Sequence, residues 1–233
     1  MRRIVLTYGL IAGGILSAML LLTLPFQDEI GFDRGVILGY ASMVLAFLMV
    51  YFGIRSYRDG VAGGSLTFGR ALKVGLLIML VATVCYVATW EFIFFKLAPD
   101  FGDKYAAYAL EEARQSGGTE AEIAATAAEM TEFAEEYRKP LVNIAYTFLE
   151  PLPVGLLLSL LSAWLLSRKP RGEGLSPTTA GSLLTVLIVA VMIAGPTLGW
   201  LVGSHPWHRS SMALVIVSTE ALWDQDPAVP AGD

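Results

Sequence analysis

"PLVNIAYTFLEPLPVGLLLSLLSAWLLSRK", residues 140–169, decides how the rest of this chain is read. From Leu141 to Leu166 it holds one charged side chain, Glu150, and it ends on Arg168 and Lys169. About 20 apolar residues are enough to cross a bilayer as a helix. The stretch therefore reads as a membrane span, and its centre is anomalous. Glu150 stands directly before Pro151, with Pro153 two residues further on. Proline has no amide hydrogen, so the carbonyls of Thr147 and Leu149 lose their usual helical partners. At 1.5 Å per residue the carboxylate lies roughly 14 Å from the outer end of the span, near mid-bilayer. Asn143, Tyr146, Thr147 and Glu150 fall at spacings that share one helix face.

Working outward, three earlier runs have the same character: Val5 to Phe26, Val36 to Ile54 and Ala71 to Phe95. A fifth uncharged run covers Thr178 to Val202. The first follows Arg2 and Arg3 and imitates a signal peptide, but its apolar run is too long and no small-residue cleavage site precedes "PFQDEI". The expected fold class is all-α, a polytopic membrane helix bundle of four core transmembrane helices plus a fifth. The four-span membrane domain covers residues 1–170, and residues 171–233 form a C-terminal extension with a disordered end. Composition agrees: 55% of the residues are hydrophobic and 16% charged, with a mean hydropathy of +0.60. Soluble domains carry about a quarter charged residues.

Lys and Arg near span ends resist translocation, so their distribution sets orientation. Arg2 and Arg3, then Arg55, Arg58, Arg70 and Lys73, then Arg168, Lys169 and Arg171 alternate with acidic connections. The pattern predicts a multi-pass inner-membrane protein of a bacterial cell with a cytoplasmic N-terminus. Between Lys96 and Pro140 lie ten carboxylates and five basic residues, on the outer side in this topology.

That outer connection, residues 99–139, reads as an amphipathic helical hairpin. Phe101, Tyr105 and Tyr108 make one helical stripe, and Ile123, Ala127, Met130, Ala134 and Tyr137 make another. "SGG" at Ser116 to Gly118 separates them, and Thr119 with Glu122 forms a capping box. The aromatic side faces the membrane or the bundle. The acids lack the Asx-rich loop of a calcium site and read as a solvated face. In the second connection Gly63 and Gly64 make a turn, with Ser65 or Thr67 capping the next helix. Without Gly-Lys-Ser/Thr it is not a phosphate loop.

Small residues recur every fourth position at Gly9, Gly13 and Ser17, at Gly155, Ser159 and Ala163, and at Gly195, Gly199 and Gly203. Such ladders let helices approach closely in lipid, although Gly and Ala are common in membrane helices anyway.

Several chemistries are excluded or unsupported. A net charge of −5 without a basic stripe argues against nucleic acid as a partner. Cys85 is the single cysteine and lies in an apolar run, so it reads as a small core residue. His205 and His208 flank Pro206 with no cysteine or carboxylate near them in sequence, too few ligands for a metal. No cofactor motif is present, and His-Glu-x-x-His and Gly-x-Ser-x-Gly are absent, so an enzyme is not expected.

"RRIVLTYGLIAGGILS", "GYASMVLAFLMVYFGIRSYRDG", "GGSLTFGRALKVGLLI", "TWEFIFFKLAPDF" with "DKYAAY", and "TFLEPLPVGLLLSLLSAWLLSRK" together resemble the bacterial membrane family catalogued as domain of unknown function 4199. The resemblance runs from about Arg2 to Lys169. It implies a four-span inner-membrane protein and supplies no mechanism. Residues 172–233 depart from the pattern.

The candidate polar site inside the membrane comprises Glu150, Asn143 and Thr147 of span four and Glu91 of span three. Glu91 stands beside Trp90, within about two helical turns of Glu150 in depth. Glu150 is expected to face span three and approach Glu91, where double ionisation would be expensive in lipid. Otherwise it donates to a freed carbonyl and holds a kink. Two functions stay open: a membrane-organising or partner-binding protein, or a small proton- or cation-linked transporter using Glu150 and Glu91. Partners would be the bilayer and a second copy or another membrane protein.

Overall fold

The computed structural model describes residues 1–168, which are helical throughout apart from short turns. The fifth run, its glycine ladder, both histidines and the C-terminal end lie outside the described residues. Among the described residues, three stretches are long and apolar enough to cross a membrane: Arg2–Gly60, Phe68–Leu97 and Pro140–Ser167. Many large apolar side chains point outward along them, Leu10, Leu22, Leu45, Val84 and Leu160 among them. An outward apolar surface of this extent suits lipid and not water.

The first stretch is divided. Helix α1 (Arg2–Thr23) passes through a tight turn at Leu24–Phe26 into α2 (Gln27–Gly60). Gly31 has φ 73° and ψ 165°, outside the helical region and open to glycine without strain. The chain folds back there. A Cβ built on Gly53 of α2 would lie 3.2 Å from Tyr8 of α1, and that pairing puts the reversal midway, at Gly31. Gly63 (φ 70°) and Gly64 (φ 86°) make the turn into α3 (Phe68–Phe92). Thr67 occupies the cap position, but its side chain makes no capping bond. A wide turn, Ile93–Leu97, ends α3, and α4 (Phe101–Gln115) and α5 (Glu120–Tyr137) follow. The Thr119–Glu122 capping box is present, with the Thr119 amide donating to Glu122 Oε2 over 2.8 Å. Then come α6 (Pro140–Leu149) and α7 (Leu152–Ser167), which break at Glu150 and Pro151 as the two prolines require.

The small-residue ladders do pack. Virtual Cβ atoms on Gly9 and Gly13 would sit 2.6 Å from the Cβ atoms of Val81 and Cys85 on α3. One turn on, the hydroxyls of Ser17 and Thr89 are 2.7 Å apart. Thr89 spends its own hydrogen on the Cys85 carbonyl, so Ser17 is the donor. Both ladders ascend together, so α1 and α3 run parallel. On the other side a Cβ on Gly155 of α7 would meet Met79 at 2.5 Å, and one on Gly75 would meet Ser159 at 3.3 Å. Here one number rises as the other falls, so α7 runs antiparallel to α3. Around these seams Ala12, Leu16, Phe47, Val50, Ile54, Val74, Ile78, Ala82, Leu158 and Ala163 are fully or almost fully buried. Arg2, Arg3, Arg55, Arg58, Arg70, Lys73 and Arg168 are thereby gathered at one end of the bundle.

The opposite end is looser and is covered by α4 and α5, which lie antiparallel. Tyr105 packs on Phe133, with ring centroids 6.2 Å apart, and Arg138 bonds Asp103 at 2.9 Å. The aromatic stripe of α4 turns inward, to Phe32 of α2 (5.4 Å from Tyr105) and Trp90 of α3 (4.9 Å from Phe101). Lys104 bonds Asp28 at 3.0 Å and Tyr108 donates to Asp33 over 2.6 Å. Those bonds raise the proton affinity of both groups, through Asp28 for Lys104 and Asp33 for Tyr108.

Candidate functional site

The break in the fourth apolar run opens space. Proline removes two rungs of the ladder, and α6 gives way to α7 at that point. A cavity of about 490 Å³ lies in the looser half, between the far ends of α1 and α3, the stretch of α2 from Gln27 to Tyr40, α6, and the covering α4–α5 pair. Glu150, Thr147 and Tyr146 line it from α6 and the break, Tyr86, Trp90 and Ile93 from α3, and Tyr40 from α2. Phe101, Tyr105, Phe133 and Tyr137 line it from α4 and α5. The volume is in the range of small-molecule sites.

Glu150 is surrounded by protein at this depth yet keeps accessible surface, because it lines the cavity. Its Oε2 accepts a hydrogen bond from the Tyr86 hydroxyl at 2.7 Å. Tyr86 is only 6% exposed, so a side chain of α3 fixes the acid, as the expected orientation toward span three requires. The hydrogen bond it makes is to a phenol and not to a carbonyl freed by proline. Glu91 lies in the last turn of α3. It stands one residue beyond Trp90, is not among the described residues lining the cavity, and its Oε1 is buried without a hydrogen-bond partner.

Asn143 and Thr147 are buried, at 0% and 3% exposure, and their bonds hold the covering helices down. Asn143 Nδ2 donates to the Tyr137 carbonyl at 3.2 Å, and the Thr147 hydroxyl donates to Asn143 Oδ1 at 3.3 Å. Trp90 Nε1 donates to the Tyr137 hydroxyl at 3.0 Å, which reaches Thr147 over a long 3.5 Å. One buried network thus ties the end of α5 to α3 and α6. Burial pushes the Tyr105 and Tyr137 phenols up, so both stay neutral donors and acceptors.

Tyr40 and Tyr86 are the site residues that the sequence pattern passes over. Each is a hydroxyl inside an apolar run, and a buried phenol ordinarily needs a partner. That need is the signal by which Tyr86 could be found. Among the described residues no three His, Cys, Asp or Glu side chains gather in a way that could hold a metal.

The described residues form an all-helical chain with stretches long and apolar enough to cross a membrane, beside a half-open cavity of small-molecule size. The family described as protein of unknown function (DUF4199) matches residues 7–168, and the chain belongs to it. No curated protein and no solved structure matches the chain.

Proposed function

We propose that this is an inner-membrane binding protein for a small ligand, with the ligand seated in the chamber that ends at Glu150. The carrying observation is the cavity itself: a chamber of about 490 Å³ with a carboxylate in its lining, oriented by Tyr86. Ionisable groups at such depth are costly in lipid and commonly mark a binding or transport path. In this reading α1, α2, α3 and α6–α7 are four passes, with the alternating helix directions as support. The basic end lies in the cytoplasm, and α4–α5 form an outer hairpin over the chamber. The exposed apolar residues face the bilayer, and a second copy or another membrane protein can share that surface.

The experiment is a thermal-shift panel of small solutes on the full chain, run beside Gly39→Phe. A Cβ on Gly39 meets nothing within 4 Å, and the residue lines the cavity, so a phenyl ring there narrows the chamber from a side where the added Cβ has room. At least one solute should stabilise the parent and lose that effect in Gly39→Phe. A shift that survives the narrowed chamber, or no shift with any solute, refutes the reading.

A second reading, proton- or cation-linked transport, draws on the helix broken beside Glu150, since interrupted helices with freed carbonyls recur at transporter ion sites. Saturable flux in vesicles, abolished by Glu150→Gln, separates a carrier from a binding protein.

A further inference from the structure

We infer that the ligand carries one ammonium group on an apolar body, with the charge at Glu150 and the body along the aromatic walls. This rests on the reading of the chamber as a binding site and specifies its chemistry. Among the described residues lining the cavity, Glu150 is the one carboxylate, and none is Lys, Arg or His. An anion therefore finds no counter-charge, and a cation finds one. The wall around that acid is aromatic, with Tyr40, Tyr86, Trp90, Tyr105, Tyr137 and Tyr146 all contributing. Aromatic faces attract ammonium and quaternary ammonium groups through the ring quadrupole, most strongly away from water.

A bare metal ion suits the chamber poorly. Calcium takes six to eight oxygen ligands and magnesium demands an octahedron, whereas one carboxylate and scattered phenols serve a large, diffuse cation. Room for the body is built into α2. Gly35 and Gly39 line the cavity, and a Cβ at either would meet nothing within 4 Å, in contrast to the close contacts at Gly9 and Gly13. These glycines leave volume open where the others draw helices together. A smaller crevice that shares Leu20, Thr23, Ile30, Gly35 and Gly39 continues the space between α1 and α2 toward Leu38 and Ser42. The same ammonium chemistry is offered by a free organic amine and by the headgroup of an amine-bearing lipid.

The test uses the full chain in nanodiscs of glycerol-headgroup lipid, titrated calorimetrically with three compounds of one shape. These are benzyltrimethylammonium, its neutral carbon isostere neopentylbenzene, and the anion benzylsulfonate. The cation should bind about tenfold or more tightly than the isostere. The anion should not bind. Glu150→Gln, whose amide oxygen still accepts from Tyr86, should erase the preference while helical content stays unchanged. In ethanolamine-headgroup nanodiscs, weaker apparent binding of the cation with co-purified lipid identifies a lipid headgroup as occupant, and unchanged binding identifies a free amine. Equal binding of cation and isostere, or a preference that survives Glu150→Gln, overturns the cation assignment. The chamber still stands in that case if Gly39→Phe blocks both compounds. No heat with any of the three also overturns the cation assignment, while the broader solute panel decides the chamber separately.

Discussion

Gly13 and Gly14 are neighbours on α1, yet the same substitution should act on them in opposite senses. A Cβ on Gly13 would lie 2.6 Å from Cys85 Cβ, 2.8 Å from its Sγ and 3.4 Å from the Ala82 Cα. Carbon atoms settle at about 3.5–4.0 Å, so the α1 and α3 backbones must separate by roughly 1 Å. A Cβ on Gly14 meets nothing within 4 Å. Both changes gain the same helix propensity, about 0.5–1 kcal/mol for Gly to Ala. The difference between the variants therefore isolates the overpacking cost, about 1–3 kcal/mol. Separation one turn from Ser17 also weakens its bond to Thr89, adding about 0.6 kcal/mol. Gly14→Ala should be neutral or slightly stabilising and Gly13→Ala destabilising, as followed by circular dichroism through SDS-driven unfolding in mixed micelles. Gly13→Ala at least as stable as Gly14→Ala would refute the account of a zipped α1–α3 seam.

Glu150→Gln should unfold close to the parent in the same assay, because Tyr86 keeps an acceptor. Glu150→Leu leaves a buried hydroxyl unpaired and should cost about 1–3 kcal/mol, so equal stability of the two variants would discount the Tyr86 bond. Reporters fused at Gly117 should behave as external and those fused at Arg168 as cytoplasmic, and the reverse pattern would overturn the orientation. Tyr108, held neutral by its bond to the Asp33 carboxylate, has its folded pKa raised above the ordinary 10.0. Its contribution to docking α4 is full below pH 10 and is lost as pH climbs past that value. An ultraviolet tyrosinate titration of the parent minus Tyr108→Phe should show one phenol ionising late, and ionisation in the ordinary range would remove the argument. Thr119→Ala should cost about 1 kcal/mol of α5 stability through loss of its capping box, read by amide exchange in that helix.

Much of the architecture could be read from spacing alone, because the bilayer imposes length and apolarity on whatever crosses it. The break at Glu150, the turns at Gly63 and Gly64, and the Thr119 cap each follow from chemistry within a few residues: prolines without amide hydrogens, glycines at positive φ, and a hydroxyl paired with a carboxylate three residues on. The ladder at Gly9, Gly13 and Ser17 could be read as a contact face but not matched to Val81, Cys85 and Thr89, since close approach says nothing of the partner. The site was legible in part for the same reason. Glu150 stands out as a charge in an apolar run, whereas the Tyr86 hydroxyl that fixes it lies on another helix, 64 residues away. Asn143 and Thr147 share the face of Glu150, and yet their hydrogen bonds hold α5 down. A helical period identifies a face but not which polar group on it is already satisfied.

The seam between α1 and α3 also carries a schedule. Ser17 and Thr89 are 72 residues apart, with the whole of α2 between them. At about 5–20 residues per second of synthesis, the partner of the first helix emerges on the order of 4–14 s after it. For that interval, in the proposed membrane setting, the Gly9–Gly13–Ser17 face has only lipid, or whatever machinery attends insertion, to rest against. Glycine leaves no side chain to be misplaced in the wait, and the Ser17 hydroxyl can meanwhile turn back to the carbonyl of Gly13 on its own helix. A surface that must sit unmatched for seconds before it is zipped is well made from residues that lose little by waiting.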